Sequence, residues 1–179
     1  MIHSCGPNGN FEISKKLIKS RSENPSYGEN ENPSVGEDFI EQNKNADLMV
    51  SPCWQIYNLF YIYEYLAYFD FVSRRRNVEI TPIILDFPMH YRIDILPYDI
   101  RQSAIDSINK CFKLKIVQQP TLFRKLMTLK KMLNSPNSHK QSDLHMDQFV
   151  RVTKLYDKYR NQSIEKSLPE LYKHVKKYF

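Results

Sequence analysis

Glycine is scarce in this 179-residue chain, at 4 residues, and tryptophan occurs once. With so few positions free to take φ > 0, the phosphate-cradling loops go too: neither G-x-G-x-x-G nor G-x-x-x-x-G-K-[ST] is present. The H-E-x-x-H zinc helix and the G-x-S-x-G nucleophile elbow are also missing, which removes the enzyme classes built on them. Cysteine is equally thin. Cys5, Cys53 and Cys111 are odd in number and far apart, so they provide neither a disulfide framework nor C-x-x-C zinc spacing. His139 and His145 lie too loosely across a polar stretch to read as metal ligands, and no metal site is expected. No run approaches the ~18 uncharged apolar residues that span a bilayer, and Met1 to Asn10 lacks a signal-peptide core. The expectation is a cytoplasmic protein without membrane contact.

What the chain does have is core-forming material. It is 41% hydrophobic and 13% aromatic, with 12 Tyr and 10 Phe, enough for one packed domain. The net charge of +6 is unevenly spread: residues 1–50 sum to −3, 51–119 to +1 and 120–179 to +8. A basic last third can attract phosphates or an acidic partner, although a solvated helical surface explains it with fewer assumptions.

The pattern along the chain divides it into a variable amino-terminal arm, 1–45, and a domain, 46–179. Within the arm, Phe11 to Ser20 has the spacing of a short amphipathic helix. A tandem repeat follows, with Asn24-Pro25-Ser26 echoed by Asn32-Pro33-Ser34, and its Pro and Gly forbid continuous helix. The domain opens on Asp47 to Pro52, a short apolar run that reads as a buried strand. Trp54 to Val72 has no Gly or Pro and reads as one largely buried helix, closed by Arg74, Arg75 and Arg76, where cations suit a helix carboxy-terminus. Val78 to Leu85 is β-branched and predicts a second strand, with Pro82 at a bulge. Strand, helix, strand makes a βαβ unit. Helices are then expected from Leu96 to about Lys113, with Asp99 as its cap, from Pro120 to Leu133, from Asp143 to about Asn161, and from Leu168 to Phe179. The last of these follows Ser167-x-x-Glu170, a capping-box spacing. The fold class expected is α/β: a partial (β/α) barrel-like sheet of two or more short strands, followed by a helical carboxy-terminal region.

Ligand sites in α/β sheets gather beyond the carboxyl ends of strands, so Asp86, His90 and Asp94, directly after the second strand, form the candidate polar site. Against that stands the commoner role of a lone His beside a turn, as a surface or core-edge residue. A second polar segment, Asp157 to Ser163, is explained physically as a helix end in which Arg160 pairs with Asp157 at i, i+3.

Three stretches taken together resemble the carboxy-terminal part of phage-type, twitch domain-containing radical S-adenosylmethionine proteins. They are Ala46 to Pro52 with Trp54 to Asn58 and the aromatic helix; Val78 to Ile80 through Ile84 to Pro88 and Leu96-Pro97; and Leu155 to Ser163 with Leu168 to Glu170. The last carries the family-like residues Asp157, Arg160, Asn161 and Glu170. The resemblance implies a partial barrel. In the family it resembles, a C-x-x-x-C-x-x-C loop holds a four-iron, four-sulfur cluster that cleaves S-adenosylmethionine. No such loop occurs in this sequence. No catalytic residue is therefore carried over, no cofactor is expected in this chain alone, and the implied partner is a cysteine-bearing chain or a second copy. The alternative is a basic helical module that binds nucleic acid or another partner.

Overall fold

A computed structural model describes residues 47–136 and 142–179. The amphipathic segment at 11–20, the repeat at 23–37, Cys5 and His139 lie outside the described residues. The architecture is mixed α/β and mostly helical. Strand β1 (Leu48–Val50) pairs in parallel with β3 (Val78–Ile80), and β2 (Cys53–Trp54) pairs in parallel with β4 (Ile83–Ile84). The two ladders continue each other: Thr81 N–H donates to Val50 O (2.9 Å), Ile83 N–H to Pro52 O (2.9 Å) and Leu85 N–H to Trp54 O (2.9 Å). Pro52 and Pro82 interrupt the regular pairing because proline has no N–H to give the ladder. The expected bulge at Pro82 is thus the break between β3 and β4.

The expected helix from Trp54 begins later. Trp54 ends β2, and the chain turns on Asn58, whose Oδ1 accepts the Gln55 N–H at 2.9 Å while its Nδ2 donates to Cys53 O at 2.8 Å. One side chain so bonds the strand end and the start of the next element. A 3₁₀ stretch (Ile56–Tyr61) leads from there into α1 (Ile62–Val72). Beyond β4 come two 3₁₀ turns, Met89–Tyr91 and Ile93–Ile95.

The helix expected from Leu96 to Lys113 is two helices, α2 (Tyr98–Ser103) and α3 (Ile105–Cys111). Ser103 Oγ donates back to Asp99 O at 3.0 Å, an i−4 bond of the kind that bends helices, and the break falls at the next residue, Ala104. Asp99 is not the cap. Pro97 occupies that position, and Asp99 lies in the first turn with Lys177 Nζ at 3.9 Å.

After a 3₁₀ turn at Lys115–Gln118 come α4 (Pro120–Asn134) and α5 (Ser142–Arg160), close to their expected bounds. The Leu122, Leu126, Leu129 and Leu133 stripe of α4 is fully buried, as its spacing predicts. The chain ends in α6 (Ile164–Ser167), α7 (Pro169–Val175) and a 3₁₀ turn at Lys176–Tyr178.

A single core joins these elements. Trp54, Ile56 and Leu59 pack with Leu66 of α1, Ile80 of β3, Ile108 of α3, Phe149 of α5 and Leu171 of α7. No helix among the described residues is long and apolar enough to cross a membrane.

The edges of the β1–β3 ladder differ. On the outer side of β3, the Gln119 side chain acts as a strand in miniature: Oε1 accepts the Ile80 N–H at 3.0 Å, and Nε2 donates to Val78 O. On its outer side β1 has no strand partner among the described residues.

Candidate functional site

The polar segment after β4 is organised by a residue the candidate set omitted. Arg92 grips Asp94 in a bidentate fork, Nε to Oδ1 at 2.9 Å and an η-nitrogen to Oδ2 at 2.6 Å, with both side chains largely buried. That pairing raises the Arg92 pKa above its ordinary value, with burial opposing it. Asp86 stands 3.8 Å from the same guanidinium, but its side chain is 85% exposed, so solvent screens the contact. Asp94 therefore orders the turn as a partner of arginine. Its two oxygens are committed, which leaves it poorly suited to general-base work.

His90 packs edge-on to Tyr91 with ring centroids 4.2 Å apart. Burial lowers its pKa, and the nearby charge of His145 lowers it further, so the ring is neutral at pH 7. His145 comes from α5, 55 residues downstream, is buried, and has Nδ1 3.1 Å from Gln148 Oε1. The sequence set the two histidines apart, and the fold makes them neighbours. No cluster of three or more His, Cys, Asp or Glu able to hold a metal occurs among the described residues.

Beside this turn lies a set of hydroxyls, those of Tyr57 and Thr153 buried, that sequence reasoning missed. Tyr57 Oη and Thr153 Oγ1 are 2.7 Å apart, and Thr153 Oγ1 donates to Phe149 O at 2.7 Å. Tyr91 bonds both Tyr57 and Tyr156. Burial pushes the Tyr57 phenol up to about 12 and raises Tyr91 as well, so both stay protonated and serve as hydrogen-bonding groups. Tyr57 and Thr153 are 96 residues apart, and no local pattern could have paired them. The cavity beside them, walled by Tyr57, Thr153, Asp157 and Arg160 among others, holds about 20 Å³. That is the volume of a single water rather than of a substrate.

Asp157, Arg160 and Asn161 lie where α5 ends and α6 begins, and Glu170 is in the first turn of α7. Asn161 has φ 49°, in the left-handed region, and Gln162 N–H donates to Asp157 O at 2.9 Å. This is the six-to-one bond of a Schellman helix ending, with Asn161 as the residue just past α5. Asp157 Oδ2 accepts the Ile164 N–H at 2.8 Å, tying the start of α6 to the end of α5. Arg160 lies over the Tyr156 ring, 4.8 Å from its centroid.

The capping box at Ser167 does not form, because Ser167 still belongs to the turn of α6, its N–H bonded to Ser163 O at 2.8 Å. Leu168 is the cap of α7, Pro169 takes the first turn, and the Glu170 N–H donates to Tyr61 Oη at 3.1 Å. Since Asn tolerates the left-handed region better than other side chains with a Cβ, Asn161→Ala is expected to lower stability by about 1 kcal/mol, while Asn161→Gly leaves it unchanged or slightly higher. Urea denaturation of the two variants checks this. Equal losses in both would show that the asparagine side chain, not its backbone, matters.

Two of the three cysteines, Cys53 and Cys111, lie among the described residues. Cys111 is fully buried in α3 with its thiol directed to Ser107 O at 3.4 Å, and burial pushes its pKa up to about 12, far from the thiolate a cluster needs. Cys53 sits apart in β2.

No family model, curated protein or solved structure matches this chain.

Proposed function

We propose that this chain is the carboxy-terminal portion of a radical S-adenosylmethionine protein, supplying sheet and helices of a partial barrel whose cluster-bearing cysteine loop comes from another chain. The observation that carries the reading is the asymmetry of the parallel ladder. With Gln119 closing β3, further strands can add only beside β1, the side on which earlier strands of a barrel would lie. The parallel βαβ unit and the resemblance over residues 46–179 support the same reading. Alone the chain is inactive in this reading, since its sequence lacks the C-x-x-x-C-x-x-C loop. The other reading, a basic module binding nucleic acid through residues 120–179, requires affinity that falls steeply with salt.

Anaerobic iron–sulfur reconstitution separates them. The full chain is treated alone and together with a separately produced chain that carries C-x-x-x-C-x-x-C and is encoded beside it. The expected result is visible charge-transfer absorbance and S-adenosylmethionine cleavage only where the two chains co-elute. If this chain remains a dilution-resistant monomer that ignores the cysteine-bearing chain, the reading is wrong.

A further inference from the structure

One opening among the described residues is lined by none of Asp86, His90 and Asp94. It is an open cleft of about 720 Å³ between the carboxy-terminus of α1, the segment joining α3 to α4, and the first turn of α4. Because α1 ends where the chain turns into β3, the cleft adjoins the amino ends of the strands, opposite the end that carries Asp86, His90 and Asp94. Its size suits a mononucleotide-sized ligand.

Three cations line it, Arg74, Lys113 and Lys115, against one carboxylate. That carboxylate, Asp70, is already engaged: Oδ1 accepts the Ile116 N–H at 2.7 Å, and Oδ2 lies 3.8 Å from Arg74. No carboxylate of the described residues stands within 4.0 Å of Lys113 or Lys115. The lysines are held on the surface because Leu114 between them packs inward against the core.

Two aromatic rings complete the lining. Phe112 and Phe123 meet edge to face with centroids 5.7 Å apart, and Phe123 is 46% exposed. The cleft thus sets a half-exposed phenylalanine beside Lys113 and Lys115. It is the combination that takes a planar ring by stacking and its phosphate by charge.

We propose that this cleft binds a nucleoside phosphate, with the base on Phe123 and the phosphate between Lys113, Lys115 and Arg74. The ligand chemistry is shared by free nucleotides and by single-stranded nucleic acid. The site does not depend on a cluster-bearing partner, so failure of the reconstitution leaves it standing.

The test uses the full chain and calorimetric titration with AMP, adenosine and inorganic phosphate, with AMP displacement by an oligothymidylate as a further arm. AMP should bind more tightly than adenosine or phosphate. Lys113→Glu with Lys115→Glu should weaken AMP by at least about tenfold. Phe123→Ser should weaken AMP while leaving inorganic phosphate unchanged, and Lys131→Glu, outside the cleft, should change neither. Displacement by the oligothymidylate identifies nucleic acid as the source of the ligand, and its absence identifies a free nucleotide. Thermal melts of the lysine variants should match the parent, since those side chains are exposed. Absence of saturable binding by both AMP and the oligothymidylate, AMP affinity indifferent to the double lysine change, or equal losses for AMP and inorganic phosphate in Phe123→Ser would overturn the proposal.

Discussion

Arg101→Ala is expected to lower the folding stability by on the order of 3 kcal/mol, measured by chemical denaturation of the full chain. Arg101 is completely buried, yet no carboxylate pairs with it among the described residues. Its Nε donates to Leu96 O at 2.9 Å and an η-nitrogen to Met132 O at 2.8 Å, while Tyr98 lies beneath the guanidinium with its ring centroid at 5.6 Å. Met132 is in the last turn of α4, where helix carbonyls lack partners within the helix and where positive charge is favoured. Gln102 does the same for Leu133 O at 2.9 Å.

Burial lowers the Arg101 pKa from its ordinary value, a measure of the cost of holding the charge there. Alanine would remove that cost, but it would also take the Arg101 donor from the Leu96 carbonyl, leave Met132 O with the Ser135 N–H alone (3.3 Å) and open a cavity in the core, and these losses dominate. Arg101→Met fills the volume without donating, so it should fall between parent and alanine. A loss below about 1 kcal/mol for alanine would mean that the fork bonds contribute little.

Gln119→Ala is expected to cost about 2 kcal/mol, because it leaves both the Ile80 N–H and the Val78 carbonyl at a part-buried edge without their partner. Gln119→Glu discriminates the mechanism. A carboxylate still accepts from Ile80 N–H but faces the Val78 carbonyl without a proton, so at neutral pH it should recover only part of the loss. Protonation restores a donor, so its deficit relative to the parent should shrink as the pH is lowered through the carboxylate range. If Gln119→Ala unfolds within about 0.5 kcal/mol of the parent, water replaces the side chain and the edge is not closed by it. The asymmetry used to place further strands beside β1 would then lose its basis.

Much of the secondary structure was readable from residue spacing. The buried leucine stripe of α4, the bounds of α5 and the break at Pro82 follow from local rules, because helix periodicity and the missing N–H of proline act within a few residues. The errors have local causes too, but these are side-chain bonds that compete with propensity: Asn58 delays the first helix, and Ser103 bends the next. Ser167-x-x-Glu170 had the right letters for a capping box, yet Ser167 was already in a helical turn. The sequence placed Asp86, His90 and Asp94 after the second strand but did not give the organisation of that turn. Asp94 is committed to Arg92, and the histidine near His90 arrives from a distant helix.

By itself the sequence determined which short catalytic and phosphate-binding motifs do not occur, where the main amphipathic helices run, and that a parallel strand pair flanks an aromatic helix. Each of these depends on residue type and short-range periodicity. Only the tertiary structure decided that Arg101 is a buried carbonyl binder, that Gln119 closes one sheet edge, that Tyr57, Tyr91, Thr153 and Tyr156 share one hydrogen-bonded cluster, and that Arg74 joins Lys113 and Lys115 around one cleft. The physical reason is common to all four. Apart from the local Arg101–Leu96 bond, the bonds of Arg101, Gln119 and Tyr57 named above join residues 31 to 96 apart, and such meetings are set by how whole elements pack.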